Sequence, residues 1–219
     1  DAKIIEIPDK IIAIAEKHLA YRPWMLNVMA HSLSSGRLTD EDPKRIDALK
    51  RFAGACLEVG THPCAVTLLT SKDHMTARDE FNGRSAEEQV LYYVEFLVAA
   101  GFTHVVCSAA ELAAILSEST FDGVQTIVPG IRLPGNSTHD QARTDTPASA
   151  VAAGADLLVI GRDLTHGHLG QNLQAIQRNL TEGGLTAAAR SRSDRTAPHE
   201  STDDSLSTAP VSATPPRTT

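Results

Sequence analysis

Residues 85–107, SAEEQVLYYVEFLVAAGFTHVVC, contain a predicted helix and the predicted strand that follows it. Ser85 and Glu88 have the spacing of a capping box, in which each side chain accepts a hydrogen bond from the other residue's backbone N–H. Gly101 supplies the residue type that commonly ends a helix. The β-forming stretch at 103–107 then predicts a short buried strand. This helix and strand are the repeating unit of a parallel sheet covered by helices.

The same alternation extends along the chain in both directions. An apolar strand followed by a helix, repeated, predicts the α/β class with a parallel sheet. The predicted strands lie at residues 1–5 and near residues 25, 66, 105, 127 and 158, and the predicted helices at 11–21, 44–59, 85–100, 109–117, 147–153 and 169–180. A closed (β/α)8 barrel has eight strands and typically ~250 residues. The six predicted strands fall about two short of this number, at the N-terminal side.

The composition changes near residue 182. Residues 1–182 carry the strand and helix pattern, whereas residues 183–219 are dominated by Ser, Thr, Ala, Pro and Arg without apolar periodicity. A segment of this kind buries too little apolar surface to offset its ordering entropy. We predict one barrel domain over 1–182 and a disordered tail over 183–219.

Charge and composition argue against several classes of protein. The net charge is −7 and aromatic residues make up 4% of the chain, which together argue against a nucleic-acid partner. No apolar run approaches the length of a membrane span. Cys56, Cys64 and Cys107 lack C-x-x-C spacing, so we interpret them as small buried residues in a reducing, cytoplasmic compartment. The histidines are scattered and provide no evident set of metal ligands.

The octapeptide DAKIIEIP at residues 1–8 places charged side chains among isoleucines. Asp1 and Lys3 point to the same face of a strand because side chains alternate along it. A carboxylate beside an ammonium at the end of an apolar strand can handle protons. The same residues are also compatible with a surface ion pair at a chain terminus, because short D-x-K matches are frequent.

Polar residues also follow three later predicted strands. Thr70 and Ser71 follow CAVTLL and can hydrogen-bond a planar polar ligand, although they can equally cap a turn. The motifs VPGIR, ending at Arg132, and IGR, at 160–162, each combine glycine with arginine. Glycine lets the backbone approach an anion, and arginine offers a planar fork of donors. The loops after the last two strands of a (β/α)8 barrel often bind phosphate, so the two motifs predict a phosphate clamp.

Six motifs together resemble those of the orotidine 5′-phosphate decarboxylase family in order and spacing. They are DAKIIEIP, TLLTS, VVCS, VPGIR, DQARTDTP and AGADLLVIGR, and the resemblance runs from residue 1 to about residue 180. The family consists of homodimeric (β/α)8 barrels that convert orotidine monophosphate to uridine monophosphate without a metal or an organic cofactor. The resemblance therefore implies a TIM barrel, a small nucleotide substrate and a homodimer, with no cofactor, membrane or nucleic acid involved.

The resemblance also implies roles for the acid and lysine motif. Lys3 would donate a proton to ring carbon 6 as carbon dioxide leaves. Asp1 would lie beside the substrate carboxylate and keep Lys3 charged. Glu6 occupies the position of a second aspartate, which in the family reaches into the site of the partner subunit.

The substrate contacts follow from the later motifs. Ser71, with Thr70, would hydrogen-bond the pyrimidine. The resemblance implies that Gln141 would close over the phosphate with its loop, while Arg132, Gly161 and Arg162 hold it.

Two substitutions and one absence depart from the family pattern. Glu6 is one methylene longer than aspartate, and a misplacement of ~1 Å can cost on the order of a hundredfold in rate. Asp163 replaces the usual proline and adds negative charge near the predicted phosphate. The ribose-binding aspartate and the further lysine of the family's first two strands are also missing. We therefore expect this chain alone to have little or no activity.

Two alternative functions remain open. A magnesium-dependent sugar-phosphate decarboxylase or aldolase of the hexulose-phosphate type uses a similar D-x-K-x-x-D strand end. The Thr70–Ser71 pair and the glutamine-bearing loop favour a nucleotide over a sugar phosphate. A non-catalytic phosphate- or nucleotide-binding protein would keep the two arginines without the chemistry.

Overall fold

Five parallel strands, paired in chain order, form the sheet of this protein, whose structure is a computed structural model. The structure describes residues 3–30, 43–72, 74–136 and 143–183. The strands are β1 (Met25–Met29), β2 (His62–Val66), β3 (His104–Val106), β4 (Gln125–Val128) and β5 (Leu157–Leu158). The α/β class and the parallel sheet are thus confirmed, with a strand at each of the five later predicted positions.

The predicted first strand is represented by one pairing residue. Ile4 forms an isolated parallel bridge with Val28. Its N–H donates to the Asn27 carbonyl at 3.2 Å, and its own carbonyl accepts from the Met29 N–H at 2.9 Å. The segment therefore lies parallel to β1 at the sheet edge, but the described part of it is a bridge and not a full strand.

Eight α-helices occur among the described residues. They are α1 (Pro8–Leu19), α2 (Pro43–Glu58), α3 (His74–Glu80), α4 (Ala86–Ala99), α5 (Leu112–Ser117), α6 (Pro147–Ala152), α7 (Arg162–Thr165) and α8 (Leu169–Glu182). The predicted helix at 109–117 begins with a 3-10 turn at Ala109–Glu111. The short α3 and α7 were not predicted. Residues 184–219, which carry nearly all of the predicted tail, lie outside the described residues.

The predicted capping box of α4 is present. The Ser85 hydroxyl accepts from the Glu88 N–H at 3.2 Å, and the Glu88 carboxylate accepts from the Ser85 N–H at 2.7 Å. These hydrogen bonds lower the pKa of Glu88 from its ordinary value. Gly101, with φ +88°, follows the helix in the left-handed region that glycine tolerates best.

The two faces of the sheet have different partners. Leu26, Val28, Ala65 and Val105 belong to the main apolar core, which includes buried residues of α1, α2 and α4. The alternate strand positions point to the opposite face, because side chains in a strand alternate. That opposite face is left to line a cavity.

The structure tests the predictions of buried cysteines and of no membrane span. Cys56, Cys64 and Cys107 are buried free thiols, as expected. Burial raises the pKa of Cys56 and of Cys64 to about 12, so neither is a reactive thiolate near neutral pH. Among the described helices, none has both the length and the apolar character that crossing a bilayer requires.

An aromatic cluster lies where β1, β2 and β3 begin. The ring centroids of His62 and His104 are 4.7 Å apart, and Trp24 lies 5.1 and 5.6 Å from them. His104 is buried, its Nδ1 lies 2.8 Å from the Thr103 hydroxyl, and its Nε2 has no hydrogen-bond partner among the described residues. Burial, and next the nearby His62, lower the pKa of His104 below its ordinary 6.5.

Acid should therefore destabilise the fold through His104. Below pH 6.5 the unfolded state binds a proton that the folded state resists, so stability falls as pH falls, by up to about 1.4 kcal/mol per pH unit until His104 itself is protonated. We expect urea unfolding between pH 7.5 and 5 to show a shallower pH dependence in His104→Gln than in the parent. His166→Gln, at an exposed histidine, is the control. Equal slopes for His104→Gln and the parent would contradict this assignment.

Two glycines, Gly154 after α6 and Gly54 in α2, differ in the space around them. Gly154 has φ +103°, and a Cβ there would come within 2.4 Å of the Leu116 Cδ1. Gly54, in α2, would meet no atom within 4 Å. We expect Gly154→Ala to lower the free energy of unfolding by roughly 1–3 kcal/mol. Gly54→Ala should raise it by about 0.5–1 kcal/mol. Urea unfolding of both variants measures the difference, and effects of the same sign would show the contrast to be wrong.

Candidate active site

A cavity of about 1020 Å³ lies against the sheet face opposite the helices. Its floor is made by alternate strand positions, Asn27 in β1, Cys64 and Val66 in β2, Val106 in β3 and Ile127 in β4. All five strands run in the same direction, so the residues that follow them meet along one rim of this cavity.

The structure brings six of the nine predicted site residues to this cavity. They are Lys3, Thr70, Ser71, Arg132, Gly161 and Arg162. Asp1 and Gln141 lie outside the described residues. Glu6 is half-buried and does not line the cavity, and its carboxylate accepts a hydrogen bond from the Ile7 N–H at 3.3 Å.

Lys3 reaches the cavity from a strained backbone position. Its φ is +37°, which is uncommon for a residue with a side chain and is often retained at functional sites. Its N–H donates to the Asn27 side-chain oxygen at 2.7 Å. Asn27 therefore helps to hold Lys3, a role that the sequence analysis missed. The available signal was a polar residue in the middle of the apolar strand MLNVM.

Arg132 is the buried cation of the site. Arg132 is only 8% exposed, and its Nη1 donates to the carbonyl of the preceding residue, Ile131, at 2.8 Å. Within the described ranges, its Nε has no hydrogen-bond partner and no carboxylate pairs with it. A buried charge without a counter-ion is costly, so an arginine in this state favours an anion from the cavity.

Gly161 and Arg162 complete the same end of the cavity. Arg162 is half-buried and lines the cavity beside Arg132. A Cβ on Gly161 would meet no atom within 4 Å, so the space above its backbone is open. The strands that lead to these residues, β4 and β5, are neighbours in the sheet. The arrangement can bind an anion of the size of a phosphate.

Asp163 holds the turn that follows β4. Its Oδ2 accepts from the Leu133 N–H at 2.6 Å and from the Asn136 side-chain amide at 2.8 Å. Asp163 is not among the residues that line the cavity. Its negative charge is thus engaged by the loop, which the sequence analysis did not foresee.

At the other end of the cavity, Thr70 is buried and Ser71 is exposed. The carbonyl of Thr70 accepts from the Arg143 N–H at 3.1 Å. The Arg143 guanidinium donates to the Leu69 carbonyl at 3.2 Å and pairs with the Glu111 carboxylate. The sequence analysis assigned no role to Arg143 or Glu111.

The structure defines a parallel α/β protein whose cavity is lined by two arginines, and comparisons identify its family. The chain belongs to the Orotidine 5′-phosphate decarboxylase / HUMPS family, whose profile matches residues 38–171. It is 42% identical over 169 residues to the orotidine 5′-phosphate decarboxylase of Geobacillus thermodenitrificans, covering 75% of this chain and 66% of that protein. It is 35% identical over 165 residues to the enzyme of that name from Halorhodospira halophila, covering 75% and 65%.

A solved structure agrees with this assignment. The crystal structure of orotidine 5′-phosphate decarboxylase from Lactobacillus acidophilus matches with a TM-score of 0.59 and 26% identity, covering 81% of this chain and 72% of that chain. The chain spans about two thirds of the length of the curated relatives named above. The predicted family is thus confirmed.

Gly161 allows a direct test of the anion site. We expect Gly161→Ala to weaken ribose 5-phosphate binding about tenfold, equivalent to about 1.4 kcal/mol, because the new methyl group fills the open space over the backbone. Calorimetric titration measures the affinity, and urea unfolding measures separately the cost of alanine at the Gly161 backbone, whose φ of −91° and ψ of −102° lie outside the α and β regions. Gly170→Ala, in α8, also meets no neighbouring atom and serves as the control. Unaltered affinity in Gly161→Ala would place the anion elsewhere.

Proposed function

We propose that this protein converts orotidine 5′-phosphate to uridine 5′-phosphate and carbon dioxide, a step of de novo pyrimidine synthesis. Its membership of the decarboxylase family supports the proposal. The single observation that carries it is the shared cavity, with Lys3 at one end and the two arginines, Arg132 and Arg162, at the other.

The order of the strands supports a nucleotide site with a base end and a phosphate end. Lys3 lies beside β1 and Ser71 follows β2, whereas the arginines follow β4 and β5. Adjacent strands are ~4.8 Å apart, so Ser71 and the arginines are separated by roughly 10–14 Å along the rim. A nucleoside monophosphate can span this distance with its base toward Ser71 and its phosphate toward the arginines.

The proposed chemistry needs a positive charge at the base end. The bond between ring carbon 6 and the carboxylate breaks, its electron pair stays on carbon 6, and carbon dioxide leaves. The resulting carbanion has no electron sink, so a fixed ammonium that stabilises the developing charge accelerates the step. Lys3 then transfers a proton to carbon 6. Binding energy from the distant phosphate helps to offset the cost of ordering and desolvating the site.

The remaining site residues and the assembly form part of the same proposal. Asp1 keeps Lys3 charged, Gln141 covers the phosphate, and Glu6 extends toward the site of a partner subunit in a homodimer. The sheet and the Ile4 bridge correspond to part of a (β/α)8 barrel, which the similarity to a solved decarboxylase supports. The buried free thiols are compatible with a cytoplasmic enzyme.

Ligands that differ only in the charge of the ring test the decarboxylase site. We expect the barbiturate ribonucleoside 5′-phosphate, whose ring is anionic, to bind at least ~100-fold more tightly than uridine 5′-phosphate, since it resembles the carbanion. Lys3→Ala should remove this preference and leave ribose 5-phosphate binding unchanged. Lys10→Ala, at an exposed lysine of α1, is the matched control.

Other results would contradict the proposal. Equal affinity of the two nucleotides for the parent protein would indicate a phosphate-binding protein without decarboxylase chemistry. Turnover of orotidine 5′-phosphate should persist in a chelator, and its loss there would favour the magnesium-dependent sugar-phosphate enzymes. The same assay tests the expectation, drawn from Glu6, Asp163 and the missing family residues, that this chain alone has little or no activity, which stays a prediction.

A further inference from the structure

We propose that Arg143 is a positioning residue for the Thr70–Ser71 turn, and that Glu111 holds Arg143 in place. The inference rests on the proposed function, because it takes Thr70 and Ser71 to contact the pyrimidine. A buried ion pair thus positions the residues that contact the base, and neither partner of this pair lines the cavity.

Arg143 contacts the turn through both its backbone and its side chain. Its N–H donates to the Thr70 carbonyl at 3.1 Å, and its Nη2 donates to the Leu69 carbonyl at 3.2 Å. Two donors from one residue therefore meet two successive carbonyls of the turn. This pairing fixes the positions and directions of two successive peptide groups, Leu69–Thr70 and Thr70–Ser71.

Glu111 fixes the guanidinium from the opposite side. Its carboxylate pairs with Arg143, and its Oε2 also accepts from the Ser108 N–H at 2.7 Å. The side chains of Glu111 and Arg143 are 1% and 8% exposed, so neither charge can exchange its partner for water. The Ser108–Glu111 turn follows β3, and the pair thus ties the ends of β2 and β3 together.

The turn needs this support because the sheet no longer holds it. After β2, the Thr67 N–H still donates to the Val106 carbonyl of β3 at 3.1 Å. Beyond Thr67, the chain leaves the ladder and turns, with the Lys72 N–H donating to the Leu69 carbonyl at 3.0 Å. Arg143 reaches the turn from a segment 74 residues away in sequence, and so supplies a long-range constraint that the local turn lacks.

Loss of this constraint has a specific consequence for binding. The turn would shift at the base end of the cavity, whereas Arg132 and Arg162 would keep their places after β4 and β5. A displacement of ~1 Å at a positioning contact can cost on the order of a hundredfold. The nucleotide base should therefore lose affinity while the phosphate retains it. A residue that only stabilises the fold would weaken both.

The test compares uridine 5′-phosphate with ribose 5-phosphate in Arg143→Lys. Lysine keeps the positive charge beside Glu111 and loses the planar fork that reaches the Leu69 carbonyl. We expect the affinity for uridine 5′-phosphate to fall ~10–100-fold, by titration calorimetry, and that for ribose 5-phosphate to change less than ~3-fold. Arg51→Lys, in the exposed Arg51–Asp47 pair at 3.8 Å, is the matched control and should alter neither.

A second variant and a second measurement keep the test decisive if Arg143→Lys folds poorly. The double change Arg143→Met with Glu111→Gln removes both charges together and leaves none buried without a partner. Hydrogen exchange should become faster in residues 67–72 of either variant and stay unchanged in residues 125–132. Unchanged protection of 67–72 would overturn the inference.

The outcomes separate this inference from the proposed function. If the parent protein prefers uridine 5′-phosphate to ribose 5-phosphate and Arg143→Lys keeps that preference, only the positioning role fails. If both affinities fall together in Arg143→Lys, the pair is structural and the inference is wrong. If the parent protein shows no preference for the nucleotide, the proposed function fails and the inference fails with it.

Discussion

Parallel pairing of the strands in chain order is the constraint on which the site depends. One row of paired residues crosses the sheet, from Ile4 through Val28, Ala65 and Val105 to Thr126. Every member of this row is buried. Because the row fixes the register, the chain leaves the sheet at one edge after each strand. Residues far apart in sequence therefore share one rim, and the helices on the other face bury the apolar side of the sheet.

Two buried arginines, Arg132 in the cavity and Arg143 outside it, show how the surroundings give one residue type different roles. Arg143 is neutralised by Glu111, so its hydrogen bonds serve the architecture of the base end. Arg132 has no acidic partner within the described part of the chain, so its charge remains available to a ligand. Both guanidinium groups are largely shielded from water, where electrostatic interactions are stronger than at the surface. The same physical condition therefore supports positioning at one end of the cavity and anion binding at the other.

The sequence predicted the elements whose signals are local. The strand at 125–128 and the capping box at Ser85 appear as expected, because alternation, caps and glycine stops act over a few residues. The helices at 74–80 and 162–165 were missed because they are too short for a periodic pattern. The Glu111–Arg143 pair joins residues 32 positions apart, and only tertiary structure brings them together. The motif resemblance supplied the site residues, whereas the contacts that position them required the structure.

We propose that one cavity binds a nucleotide with its base beside Lys3 and its phosphate beside the arginines. A crystal structure of the protein with bound uridine 5′-phosphate tests it most directly. We expect phosphate oxygens within hydrogen-bond distance of Arg132 and Arg162, the pyrimidine edge on Ser71, and ring carbon 6 directed at the Lys3 ammonium. A nucleotide bound in the reverse direction, with its phosphate at Lys3, or bound outside this cavity, would contradict it.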